Sequence, residues 1–81
     1  MDNKMKYNEI FKTIFNVDEN QLNESFTFKE VEVWDSIAHL SLITELEDTF
    51  NVMFETEDIL SFGSYKNGIR ILEKYGVSFN I

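Results

Sequence analysis

Few of the 81 side chains could do chemistry, and those that could lie close together. Asp35-Ser36-Ile37 sets a hydroxyl beside a carboxylate, and His39 follows three residues after the serine. A serine nucleophile needs a base to take its proton. The sole histidine is the only candidate, but helical spacing turns it toward the core side, and no glycine-lined strand-to-helix elbow precedes the serine. No self-contained hydrolase chemistry is expected, and the chain reads as a non-enzyme in which His39 is a core-edge histidine with a hydrogen bond. The glycines stand at 63, 68 and 76 alone, so neither a P-loop nor a dinucleotide fingerprint can be written. Asp18, Asn20 and Glu24 have a superficial calcium-loop look. Asn23 stands where such a loop needs glycine, however, and the bidentate acid is missing. With no cysteine there is no disulfide framework and no thiolate zinc site.

Ser36 admits two readings. It can cap a helix, as can Asp35 before it. It can also be modified by another enzyme, since a phosphate there would lie near the positive end of a helix dipole and its unpaired N–H groups. Ile37 is equally two-sided. At roughly 100° per residue, Leu42, Ile43, Leu46 and Phe50 fall on one arc, the core face of a helix from about Ser36 to Phe50. Ile37, Ala38, Ser41, Thr44, Glu45 and Asp48 fall on the opposite arc. Ile37 is then either a single exposed apolar residue or the anchor of a recognition surface.

The elements that position these residues follow from periodicity. Tyr7, Ile10, Phe11, Ile14 and Phe15 mark one face of a first helix at about residues 3 to 15. Asn16 to Val33 is a long connection, tied down by Val17, Leu22, Phe26 and Phe28 dipping into the core. A short helix is expected with Thr56 as cap, and a last one from near Ser64, through Tyr65, Ile69 and Leu72, to a stop at Gly76. No confident strand is read. The expected fold is all-α, a single domain over residues 1–81 of three main helices plus one short helix, with a long loop between helices 1 and 2.

Composition narrows the partners. Seven Lys plus Arg against 15 Asp plus Glu give a formal charge of −8. That balance argues against nucleic acid and anionic membrane surfaces and for basic protein partners. Hydrophobics at 43% and eight Phe supply a packed core, so this is not an acidic disordered tail. The absence of a signal-peptide-like stretch or a long apolar run makes a soluble, cytoplasmic monomer the default expectation.

Asp35-Ser36-Ile37 resembles the Asp-Ser-Leu signature of acyl carrier proteins. The likeness extends through Leu46-Glu47-Asp48-Thr49-Phe50, Phe54, the acidic turn Glu55 to Asp58 and the final helix, roughly residues 5 to 75. It implies that Ser36 bears 4′-phosphopantetheine, donated from coenzyme A by a phosphopantetheinyl transferase using Mg²⁺. The arm would hold acyl groups as thioesters for successive enzymes, with a chain sheltered among the helical apolar stripes. It further implies that a ligase, synthase or transferase with basic patches reads Asp35, Ile37, Glu47 and Asp48. Peptidyl or aminoacyl carriers are similar but typically show Gly-Gly where this chain has Val33-Trp34-Asp35. Ala38 and Ser41 stand where fatty-acid members usually place carboxylates, and Trp34 is bulkier than usual. These departures favour a specialised lipid, polyketide or secondary-metabolism carrier over bulk fatty-acid synthesis. The other reading is a non-carrier acidic helical adaptor, in which Ser36 only caps and Ile37 docks.

Overall fold

In the computed structural model, which describes residues 2–79, the chain forms four helices: α1 Asn3–Phe15, α2 Ser36–Phe50, α3 Thr56–Ser61 and α4 Tyr65–Lys74. Among the described residues there is no strand, only an isolated bridge between Thr27 and Ser64. The all-α expectation holds, and the limits of α1 and α2 agree with their hydrophobic periodicity.

Local chemistry fixes the helix ends. The Asp2 carboxylate accepts from the Met5 N–H at 2.8 Å, and the Ser64 hydroxyl accepts from the Asn67 N–H at 2.9 Å. Asn16 and Asn51 end α1 and α2 in the left-handed region, at φ 54° and 53°, where asparagine is tolerated. The cap of α3 is Glu55, not the expected Thr56, which is already helical.

The buried face of α1 packs chiefly against α2, and its aromatic side chains also reach the start of α4 and the connection from α1 to α2. Tyr7 and Phe11 lie against Tyr65, and Phe11 and Phe15 lie against Phe26. The Tyr7 hydroxyl donates to the Tyr65 carbonyl at 2.6 Å, and burial pushes its pKa well up. Gly68 is dictated by close approach, because a Cβ there would lie 2.2 Å from the Tyr7 hydroxyl and 2.3 Å from the Phe62 ring. Val17 and Leu22 pack partly buried against the core and Phe26 is buried, as expected for the long connection. Phe28 is not a core plug. It remains half exposed, because the hydrogen bond from its N–H to the Gly63 carbonyl turns it along the outside of α2 and α3. The connection holds a 3₁₀ turn, Glu19–Gln21, closed by Asp18, whose N–H donates to Gln21 Oε1 at 3.0 Å and whose carbonyl accepts from the Gln21 N–H at 3.0 Å.

A polar cluster ties α3 to the end of α4. Asp58 is buried, and its carboxylate accepts from Lys74 Nζ at 2.6 Å and from the Tyr75 hydroxyl at 2.5 Å. The Tyr75 hydroxyl in turn accepts from the Glu55 N–H at 2.9 Å. The Lys74 hydrogen bond, and then that of Tyr75, hold the Asp58 pKa below its ordinary value. A depressed folded value means that the folded state favours the carboxylate. The stabilisation is complete above the unfolded pKa, about 3.9, and is lost as pH falls through the lower folded value. Asp58→Asn is therefore expected to lower the melting temperature at neutral pH and to flatten the acid limb of the stability profile. The two proteins should converge as pH falls through that lower folded value, as measured by thermal melts across pH.

Candidate functional site

The site is built at the start of α2. Asp35 is the N-cap in extended conformation, and its Oδ1 accepts from the Ala38 N–H at 2.9 Å. Ser36 is the first helical residue and is exposed, with no hydrogen bond to its hydroxyl among the described residues. The capping that sequence alone allowed to either residue belongs to Asp35. The mutational consequence changes accordingly. Asp35→Ala is expected to cost about 1 kcal/mol, the usual cost of losing a cap, whereas Ser36→Ala should fall within about 0.5 kcal/mol of wild type. Denaturant midpoints of the two variants check this.

Ser36, His39 and Leu40 follow at i, i+3 and i+4 and so share one flank of α2. They border an open apolar cavity of about 370 Å³, closed on the other side by Phe28, Ile59, Leu60 and Gly63. That volume lies at the small end of the range for ligand pockets, about 300–1,000 Å³. Leu40 and Leu60 stand at the rim, 62% and 79% exposed. The far wall is positioned by the chain crossing between Phe26 and Tyr65. Besides the Phe28–Gly63 bond at 2.8 Å, the Tyr65 N–H donates to the Phe26 carbonyl at 2.9 Å. Gly63 turns the chain between α3 and α4 at φ 34°.

Both nitrogens of His39 are engaged. Its Nδ1 accepts from the Trp34 indole N–H at 3.0 Å, and Nε2 lies 2.8 Å from the Ile59 carbonyl. An indole N–H can only donate and a carbonyl can only accept, so the imidazole is the neutral tautomer with its proton on Nε2. This is the hydrogen-bonded core-edge histidine expected, and it leaves no ring nitrogen to serve Ser36 as a base.

The other residues singled out in the sequence are distributed around α2. Ile37 is 78% exposed, as its azimuth requires, beside Ser36 and away from the core. Asp48 is exposed near the far end of the helix. Glu47 is half-buried, and its Oε2 accepts from the Phe54 N–H at 2.9 Å, fastening the turn after α2. Ala38 departs from the outward arc and packs partly buried against the core. It sits only about 40° from Leu42 on the helix, and a methyl group is small enough to be covered there. Leu40, Phe28, Ile59 and Leu60 were not singled out as site residues. The spacing of Leu40 from Ser36 was the available signal. The other three reach the cavity through tertiary contacts that local pattern does not encode.

Among the described residues no three His, Cys, Asp or Glu side chains come together to hold a metal ion, and no helix is long and apolar enough to cross a membrane. Searches against family models, curated proteins and solved structures find no match to this chain.

Proposed function

We propose that this chain is a carrier protein whose Ser36 is esterified with 4′-phosphopantetheine from coenzyme A by a phosphopantetheinyl transferase. The observation that supports it best is the position of Ser36: an exposed hydroxyl relieved of capping by Asp35, at the mouth of an apolar cavity. The residues present fit the group. The first turn of a helix leaves N–H groups without intrahelical partners, and its dipole favours a phosphodiester. When bound, the arm supplies a thiol that carries an acyl group as a thioester. Ser36 Oγ forms the phosphoester bond and loses its proton as the pyrophosphate P–O bond of coenzyme A breaks and adenosine 3′,5′-bisphosphate leaves, with the transferase supplying the base because His39 is committed elsewhere. Phe28, Leu40, Ile59 and Leu60 offer apolar surface to cargo, and the cargo is presented to a basic ligase, synthase or transferase.

Docking of that partner falls on Ile37 and the acidic positions, with one refinement. Glu47 has a structural partner, so its reversal would mix a folding effect with a docking effect. Asp48 is the cleaner test. Ile37→Ala is expected to leave the melting temperature almost unchanged while lowering partner turnover. A buried isoleucine would instead cost about 2–5 kcal/mol. Asp48→Lys is expected to slow association chiefly at low salt, where surface steering is least screened. The Ala38 and Ser41 departures carry the specialised-pathway part of the reading, which is tested by comparing acceptance of the modified protein by fatty-acid enzymes with that of Ser41→Glu. The test of the proposal as a whole is transfer from labelled coenzyme A by a broad-specificity transferase. Label should reach the peptide containing Ser36 and be lost in Ser36→Ala. An acidic adaptor that never carries a cofactor would take none.

A further inference from the structure

The short α3 forms one wall of the cavity, yet six residues are too few to hold a helix by their own hydrogen bonds. Its last carbonyls have no intrahelical partner. The Ile59 carbonyl is one of these, and it finds a donor in His39, 20 residues earlier on α2. The same ring is anchored at its other nitrogen to Trp34, which is buried at 2% exposure against Phe11, Phe15 and Phe26. Aromatic faces complete the surroundings. The Trp34 and His39 rings lie side by side, 28° from parallel with centroids 6.1 Å apart, and Phe28 and Phe62 meet the imidazole edge-on at 6.1 and 6.2 Å. Among the described residues no carboxylate pairs with the imidazole. A rigid chain of contacts thus runs from the core, through Trp34 and His39, to the open end of α3. The opposite end of α3 is held separately by Asp58 through Lys74 and Tyr75.

We propose that His39 is a positioning residue of the cavity beside Ser36. Its Nε2–H bond to the Ile59 carbonyl holds α3 at the spacing at which Ile59 and Phe28 can enclose an uncharged apolar group. The role rests on the cavity and not on modification of Ser36, so a failed transferase reaction would leave it standing and its own failure would leave the carrier reading standing.

The test is binding of Nile red, an uncharged apolar dye, to the unmodified full chain. Wild type should bind it. His39→Phe keeps a ring of similar size but neither hydrogen bond, and its dissociation constant should rise about fivefold, the equivalent of one net hydrogen bond. His39→Gln can still donate to the Ile59 carbonyl and should stay within about twofold of wild type. A role in stability alone would lower the melting temperature of both variants without this split in affinity. The proposal is overturned if wild type does not bind the dye, if His39→Phe binds as tightly as wild type, or if the glutamine variant loses as much as the phenylalanine one. Should His39→Phe not fold, the imidazole ¹⁵N spectrum of wild type decides. A single Nε2–H tautomer whose signals shift on dye binding supports the proposal. A proton on Nδ1, a mixture of tautomers, or indifference to the dye overturns it.

Discussion

Trp34→Ala is expected to lower the melting temperature by about 12–40 °C, the largest stability effect of any substitution considered. Trp34 is among the largest fully buried side chains. Its ring lies within 6.2 Å of Phe11, Phe15, Phe26 and Phe28, so it joins α1 to the connection before α2. Removing a buried tryptophan costs about 3–5 kcal/mol, and in a domain of this size each kcal/mol corresponds to about 4–8 °C. The indole N–H bond to His39 is lost as well, leaving Nδ1 without its donor. Because Trp34 lies two residues before Ser36, the loss also loosens the segment that presents the serine. Trp34→Phe retains most of the ring packing and should fall well short of the alanine variant. Circular-dichroism melts of both variants check the expectation. A shift below about 5 °C for alanine would place the tryptophan outside the core.

That residue also marks where the sequence ceases to be legible. The limits of α1 and α2 and most of their buried faces could be read because helical periodicity repeats a local rule many times over, whereas on α4 Ile71 is buried and the expected Ile69 only partly so. Trp34 sits in an aperiodic connection, where nothing local distinguishes a core side chain from a surface one. Its burial follows from α1 lying across it. Phe62, Val77 and Phe79 are buried for the same kind of reason, between or beyond helices. Phe28 was assigned to the core by its hydrophobicity, but a backbone bond to Gly63 turns it to the cavity. Asp58 lies in the first turn of the short α3, where an acidic residue is ordinary. Its burial depends on Lys74 and Tyr75, which lie 16 and 17 residues away.

At the candidate site, the Asp35-Ser36-Ile37 triplet and the outward azimuth of Ile37 were legible because both are properties of one helix start. The division of labour between Asp35 and Ser36 was not, since either side chain can cap and only the backbone conformation at residue 35 decides. The cavity was not legible either. Half of its wall comes from α3 and from the Phe28 segment, brought to α2 by long-range contacts. Glu47 illustrates the converse. The resemblance implied a docking charge there, and the structure gives Glu47 a task at the Phe54 N–H.

The account stands on Ser36, and the most direct measurement is the intact mass of the protein co-expressed with a broad-specificity phosphopantetheinyl transferase. Wild type should gain the mass of one phosphopantetheinyl group, with fragmentation locating it on Ser36. Ser36→Ala should gain nothing, although its thermal melt should nearly overlay that of wild type because Asp35 retains the cap. The free thiol of the modified protein should then accept an acyl group in a linkage that hydroxylamine cleaves, as a thioester requires. An unmodified wild-type mass, beside an established carrier fully converted in the same cells, would contradict the carrier account and leave an acidic helical adaptor in its place.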